Sequence, residues 1–375
     1  MDDVAVSCHE CNLRLPVPKL APNQAARCPR CGYTITSLRR NWAERTIAFS
    51  LAGLLLMAVS LPFTYISFST HGLTESITLL SSLDALSQQG YALLSVSVAL
   101  ACLIAPAAVL LLMLYLAGAV RFGWRVRHPQ SKINLCFSLI PWCMAEIFTV
   151  GVLVSLVKII SMADIIFGIT FFTYSGFAIC FLSAMLYFDR FQVERHLVSS
   201  REQHHIEAGK SIQFTWALLV TAIILYIPAN LLPIMTTRFL GSDTPATVMG
   251  GVVTLWHHGS YPIAAVIFIA SIFVPVAKMG IMVWLNTTVH RRSVLQPAQR
   301  TFWYRVTEVI GRWSMVDVFV VAVLVSLVQL DNTMSIYPGP AVISFCGVVI
   351  LTMIAANTFD CRLIWMLPQN YDKSR

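Results

Sequence analysis

Long apolar segments alternate with short polar segments along most of this chain. The hydrocarbon core of a bilayer is about 30 Å thick, so a helix that crosses it needs roughly 20 mostly apolar residues. Segments that meet this requirement predict eight transmembrane helices, at about residues 46–67, 91–119, 136–160, 166–187, 215–236, 259–286, 307–330 and 339–358. The pattern therefore predicts an all-α polytopic membrane protein.

One apolar segment occurs twice. Residues 311–330 match residues 140–159 position by position, with Trp313 on Trp142, Phe319 on Phe148 and Asp317 on Glu146. The first and fifth predicted helices both end in a Leu-Pro pair, and the second and sixth both break near a proline, Pro106 and Pro275. A match of this length indicates an internal duplication.

The duplication divides the chain into two tandem four-helix modules. An even number of spans gives both modules the same orientation, so they are parallel repeats related by an axis along the membrane normal. We expect the first module at 41–187, the second at 215–362 and a linker at 188–214 between them.

The formal net charge of +8 reflects topology and requires no nucleic-acid partner. The loops at 68–90, 161–165, 237–258 and 331–338 contain one Lys or Arg residue, Arg238, whereas most of the other Lys and Arg residues cluster in the alternate segments. The positive-inside rule then places both termini, the linker and a short tail at 363–375 in the cytoplasm.

Residues 1–40 carry the strongest local motif. Cys8 and Cys11 form one Cys-x-x-Cys pair, and Cys28 and Cys31 form another. Two such pairs can close a tetrahedral four-thiolate site, which predicts a cytoplasmic ribbon that binds one structural zinc ion, with a rubredoxin-like iron site as the alternative. A closed site leaves no position for catalysis, so the ribbon is interpreted as a docking or folding device. The linker has no cysteine and therefore no second ribbon.

Ionisable residues inside predicted spans are candidates for function, because burying a charge in a bilayer is costly. Lys278, Asp317 and Glu146 fall at similar depths, and we expect Lys278 to pair with Asp317 or with Glu146. Such a pair is a structural ion pair, a proton relay or switch, or a substrate ligand. Lys158, at the end of the third span, can extend its amine to the outer surface.

Three hydroxyl residues lie at depths from which they could face Lys278. They are Ser271, Ser314 and Thr352. They are expected either to form a polar network with the lysine or to hold helices together by hydrogen bonds. The chain has no phosphate loop, no dinucleotide fingerprint and no catalytic Ser, His and Asp grouping, so we expect that it is not an enzyme.

The chain resembles the paraquat-inducible protein A family. The resemblance rests on the cysteine motif ending in CPRCG, on YIPANLLPIM at 226–235, on GSYPIAAVIFIASIFVPVAKM at 259–279 and on GRWSMVDVFVVAVL at 311–324. It implies a bacterial inner-membrane protein that works with an MCE-domain protein, whose rings form a periplasmic tunnel for phospholipid. It also points to Lys278, Ser271, Ser314 and Thr352 as a polar centre. Members commonly carry a second four-cysteine ribbon, which this chain lacks.

Three functions are consistent with these features. The first is a lipid transporter subunit, driven by protons through Lys278 and Asp317. The second is a non-transporting anchor or scaffold for the MCE partner, and the third is a stress sensor that responds to zinc or redox state through the ribbon.

Overall fold

The computed structural model describes residues 5–16, 21, 24–70, 73–88, 90–159, 164–198, 208–239, 242–257, 259, 261–291, 296–313, 319, 329–330 and 334–365. Its α-helices are α1 Trp42–Ser60, α2 Leu79–Gln88, α3 Ala92–Ala99, α4 Ala105–Phe122, α5 Pro129–Leu139, α6 Ala145–Ile159, α7 Ile169–Tyr187, α8 Arg190–Leu197, α9 Ala208–Leu231, α10 Val248–His257, α11 Tyr261–Phe268, α12 Val274–His290, α13 Pro297–Trp313 and α14 Ala341–Thr358. Its strands are β1 Ala5–Ser7, β2 Arg14–Pro16, β3 Ala25–Arg27, β4 Thr34–Ser37, β5 Ile66–Thr70, β6 Leu73–Ile77, β7 Asp164–Phe167, β8 Met235–Phe239, β9 Ser242–Ala246, β10 Gln329–Leu330 and β11 Met334–Pro338.

Seven helical stretches in the described part of the chain are long and apolar enough to cross a membrane. They are Trp42–Ser60, Ala92–Phe122, Pro129–Leu153, Ile169–Tyr187, Ser211–Leu231, Ile269–His290 and Ala341–Thr358. Each overlaps one predicted span, so the chain is a multi-pass membrane protein. The remaining prediction, at 307–330, falls mostly outside the described residues, and α13 covers its beginning.

The expectation of an all-α protein is wrong in the loops. Antiparallel sheets form in the loops that connect the spans, one with the order β6-β5-β7 and the other with the order β10-β11-β8-β9. Strand β5, with the sequence ISFST, and strand β8, with the sequence MTTRF, are rich in β-branched and aromatic residues, which favour extended backbone. A criterion of 20 apolar residues misses strands of five residues.

The two halves of the chain repeat the same order of elements. In each half a long helix leads to a hairpin, a short helix and a helix interrupted by a π turn, and a later strand leads to the final long helix. The π turns, Leu100–Ile104 and Ile269–Phe273, lie directly before Pro106 and Pro275, which confirms the predicted breaks. Proline lacks an N–H group and clashes with a regular helix, so a widened turn accommodates it.

A glycine occupies the same place in each half, where the later strand turns into the final helix. A Cβ at Gly168 would lie 2.0 Å from the carbonyl oxygen of Thr64, and a Cβ at Gly339 would lie 2.0 Å from that of Pro233. The Gly168 N–H donates to Tyr65 O at 3.0 Å, and the Gly339 N–H donates to Ile234 O at 2.8 Å. This backbone approach is possible because neither residue has a side chain.

The first and last helices of each half pack against each other, α1 on α7 and α9 on α14. The halves meet through Phe148 and Phe319, whose rings lie 5.7 Å apart and nearly perpendicular. These two residues correspond in the sequence repeat. Contact between corresponding residues is what a twofold relation between two units produces.

Candidate metal centre and buried lysine

The two cysteine pairs lie at the tips of two hairpins, β1–β2 and β3–β4. In both, the first cysteine donates its N–H across the hairpin, from Cys8 to Leu13 O at 2.9 Å and from Cys28 to Tyr33 O at 2.8 Å. The residue after the second cysteine has a positive φ, +54° at Asn12 and +74° at Gly32. Asparagine and glycine are the residues that adopt this left-handed backbone most readily, which explains their places in the sequence.

The four sulfur atoms are close enough to share one ion. The Sγ atoms of Cys8 and Cys31 are 3.5 Å apart, as are those of Cys11 and Cys28, and all four lie within 4.8 Å of one another. A tetrahedral ion with metal–sulfur bonds of about 2.3 Å places its ligands about 3.8 Å apart. The donor set therefore fits one metal ion, and four thiolates in this geometry suit zinc or iron.

The thiols of this cluster differ in acidity. Burial acts to raise the pKa of the Cys28 thiol, but hydrogen bonds from the backbone of Cys31 and Arg30 act in the opposite direction. The net result is a pKa lowered to about 7. Burial raises the pKa of Cys11 to about 11 and also raises that of Cys31. A metal ion that binds here at neutral pH must displace protons from Cys11 and Cys31.

The ribbon docks on the second half of the chain through Glu10, which lies between the first two cysteines. Arg305 on α13 forms a bidentate ion pair with Glu10, with Nε 3.0 Å from Oε1 and Nη2 on Oε2, and its Nη2 also donates to Cys31 O at 2.9 Å. The hydrogen bond with Glu10 raises the pKa of Arg305. In the segment that follows α14, the thiol of Cys361 donates to Glu10 O at 3.2 Å, and the guanidinium of Arg362 donates to His9 O at 2.9 Å.

The same ribbon docks on the first half through strand β4. Asp189 accepts hydrogen bonds from Thr36 Oγ1 at 2.7 Å and from the Ser37 N–H at 2.9 Å, and it also caps α8 at Phe191. Gln192 donates to Thr36 Oγ1 at 3.3 Å. The ribbon therefore bridges both halves, a role that the sequence analysis did not assign to Glu10, Arg305 or Asp189. The sequence offered one indication of this role for Glu10, which is its position between two predicted metal ligands.

Lys278 is buried in α12, with 2% of its surface exposed. Its ammonium lies over Gly311 of α13, where a Cβ would be 2.8 Å from Nζ. Nζ has no hydrogen-bond partner among the described residues, so the expected pair with Glu146 does not form in this structure. Asp317 and Ser314 lie outside the described residues.

The other predicted polar residues do not hydrogen-bond to Lys278 in the described part of the chain. Ser271 is buried in the second π turn, and Thr352 is buried on α14, where its hydroxyl donates to Val349 O of its own helix at 3.0 Å. This bond lies within one helix, so it joins Thr352 neither to Lys278 nor to a neighbouring helix. Lys158 lies on α6, and its side chain is outside the description.

The interior of the first half is apolar where the second half carries the lysine. Val109, at the place corresponding to Lys278, is fully buried, and so are Tyr174, Phe177 and Phe181 of α7. Tyr174 packs on Phe148 at 5.5 Å and donates to Cys102 O, in the first π turn, at 3.1 Å. Aromatic rings therefore surround the position in the first half that corresponds to Lys278.

These features define a polytopic membrane protein that carries a cluster of four cysteines able to hold a metal ion, docked on both halves of its helical bundle. The sequence pattern of the Paraquat-inducible protein A family matches residues 43–196 and 212–368. The chain belongs to this family, as the sequence analysis predicted.

Curated relatives align over nearly the whole chain. Intermembrane transport protein PqiA of Escherichia coli K12 is 36% identical over 96% of this chain and 95% of its own length. A probable intermembrane transport protein of Haemophilus influenzae is 28% identical over 99% of this chain and 97% of its own, and the lipophilic envelope-spanning tunnel protein A of Escherichia coli K12 is 27% identical over 96% and 90%. No solved structure matches the chain. The relatives are named as transport proteins, so the chain is a membrane transport protein and not an enzyme.

Proposed function

We propose that this chain is the inner-membrane subunit of an intermembrane lipid transport system, and that it moves phospholipid into or out of a periplasmic tunnel formed by an MCE-domain partner. The names of the relatives support this proposal, since one is a tunnel protein that spans the envelope and is described as lipophilic. The distribution of basic residues supports cytoplasmic termini and a cytoplasmic ribbon.

The observation that carries the proposal is Lys278, a buried amine without a partner among the described residues, in the half of the bundle that is not filled by aromatic rings. An ionisable group held in this way inside a membrane can change its charge during a transport cycle. We propose that protons drive the transport through Lys278, with Asp317 as the group that accepts or shares its charge.

The proposal includes the eight-span architecture of two modules at 41–187 and 215–362, a cysteine-free linker at 188–214, and a ribbon at 1–40 that binds one structural zinc ion. The contact between Phe148 and Phe319 and the matching roles of Gly168 and Gly339 support two related modules. The ribbon makes contacts with both halves that suit a structural role, so a sensor function has no specific support here.

The test is transfer of a fluorescent phospholipid from vesicles that contain the chain to its co-purified MCE-domain partner. Lys278→Met keeps the length of the side chain and removes its charge, and we expect it to abolish transfer while the complex still assembles. Lys132→Met is the matched control, because Lys132 is a partly exposed lysine that interacts with the Tyr115 ring. Transfer at the wild-type rate by an assembled Lys278→Met complex refutes the proton-driven mechanism, and failure to recover any MCE-domain partner refutes the transport assembly.

A further inference from the structure

A small cavity lies beside Lys278, between the two halves of the bundle. Its volume is about 20 Å³, and its walls include Pro141 from the first half and Lys278, Glu308, Gly311 and Asn357 from the second. A cavity of this size holds about one water molecule, and Lys278, Glu308 and Asn357 supply polar atoms to its partly apolar wall. It is too small for a lipid headgroup, so the transported lipid does not occupy it.

The ammonium of Lys278 faces this cavity because Gly311 leaves space above it. Any side chain at position 311 would begin 2.8 Å from Nζ, in the place that the ammonium now occupies. A buried donor without a protein partner is normally satisfied by ordered water. One water in the cavity would satisfy Nζ and connect it to the other polar groups of the wall.

Glu308 is the titratable group that shares this cavity with Lys278; the other described wall residues are neutral. It lies one helical turn before Gly311 on α13, and residues three positions apart lie on the same face of a helix. Glu308 is also exposed, and α13 carries Arg305, which holds the ribbon, less than one turn earlier. Glu308 therefore both lines the cavity and reaches the surface of the protein.

We propose that Glu308 is the residue through which Lys278 exchanges protons with the ribbon side of the membrane, across one water in this cavity. A proton from solvent binds the Glu308 carboxylate. Glu308 then gives a proton to the water while the water gives one to the neutral Lys278 amine, which leaves a carboxylate, an unchanged water and an ammonium. Release follows the reverse order. This inference rests on the proton-driven mechanism proposed above.

The test is NMR of the full-length chain in lipid nanodiscs with ¹³C at the lysine ε position, where the Lys278 signal is identified by its loss in Lys278→Met. The signal reports the charge of the amine, and its line shape reports the rate of proton exchange. We expect Glu308→Gln to slow exchange at Lys278 by about 100-fold, the lower end of what a positioned proton donor contributes. Glu308→Asp keeps the carboxylate and restores most of the rate.

Glu44→Gln is the matched control, since Glu44 is an exposed carboxylate paired with Arg121, and it leaves the exchange rate unchanged. Equal exchange rates in wild type and Glu308→Gln overturn this inference and leave the proposed function intact. A Lys278 signal that does not change with pH in the wild type overturns the proton-driven mechanism itself.

Discussion

A close backbone approach at Gly168, and another at Gly339, give a direct test of the duplicated fold. In Gly168→Ala, the new methyl carbon would lie 2.0 Å from Thr64 O, whereas ordinary contacts begin at about 3.4 Å. The obstacle is backbone, which cannot rotate away as a side chain can. The final helix α7 must therefore move by more than 1 Å, roughly the difference between these distances.

The cost of Gly168→Ala follows from two contributions. Forcing an extra carbon into a packed site costs about 1–3 kcal/mol. The displacement also breaks the hydrogen bond from the Gly168 N–H to Tyr65 O, worth about 1 kcal/mol. We expect a loss of about 2–4 kcal/mol, and the same loss for Gly339→Ala, where the obstacle is Pro233 O at the same distance.

The assay is thermal unfolding of the purified chain in a single detergent, followed by circular dichroism. Gly280→Ala in α12 is the control, because no atom lies within 4 Å of its added carbon, and we expect its midpoint to equal or exceed that of the wild type. Gly168→Ala with the midpoint of Gly280→Ala would refute the close approach. A loss for one of Gly168→Ala and Gly339→Ala, but not for the other, would refute the equivalence of the two halves.

Three further predictions address the ribbon and the contact between halves. Glu10→Arg and Arg305→Glu should each weaken ribbon docking by about 1–2 kcal/mol, a value reduced because Arg305 is a third exposed. The double exchange should restore docking. Limited proteolysis of the ribbon measures docking, and a double variant that is not restored contradicts the prediction. Because the Cys11 and Cys31 thiols must each release a proton, and Cys28 also takes up a proton below neutral pH, apparent zinc affinity should fall at least about 100-fold per pH unit as the pH is lowered from neutral. A competition titration with a chelator measures this slope, and a flat profile contradicts the prediction. A double-mutant cycle with Phe148→Ala and Phe319→Ala should give a coupling of about 0.5–1.5 kcal/mol in thermal unfolding, and strict additivity would show that the rings do not stabilise the contact between halves.

The sequence predicted those features that depend on local composition. A long apolar segment is most stable inside the bilayer, so hydrophobicity alone located seven of the spans with approximate bounds. The four cysteines were found because their spacing matches the chemistry of a tetrahedral ion. The strands of the outer loops were missed because they are short, and their pairing joins segments such as β5 and β7 that are distant in sequence.

The contacts of the buried charges could not be predicted in the same way. Depth along a helix suggested that Lys278 and Glu146 could meet, but depth does not give the direction in which a side chain points. In the structure Lys278 faces Gly311, a residue without a side chain, and no polarity scale marks a glycine as its neighbour. The pair of Glu10 and Arg305 was equally hidden, since both residues are ordinary charged positions until the ribbon folds onto α13.

Helix α13 connects the metal centre with the buried lysine. Arg305, near the middle of α13, binds the ribbon beside Cys31, and Gly311, about two turns later, lies against the ammonium of Lys278. A helix is stiff over two turns, so these contacts cannot shift independently. The ribbon also contacts Asp189, at the end of the first half. If a metal ion bound by the four cysteines is removed, the contacts of the ribbon with both halves should therefore loosen, and α13, which lies against Lys278, should move. The four cysteines are in this way coupled through α13 to the proposed transport centre.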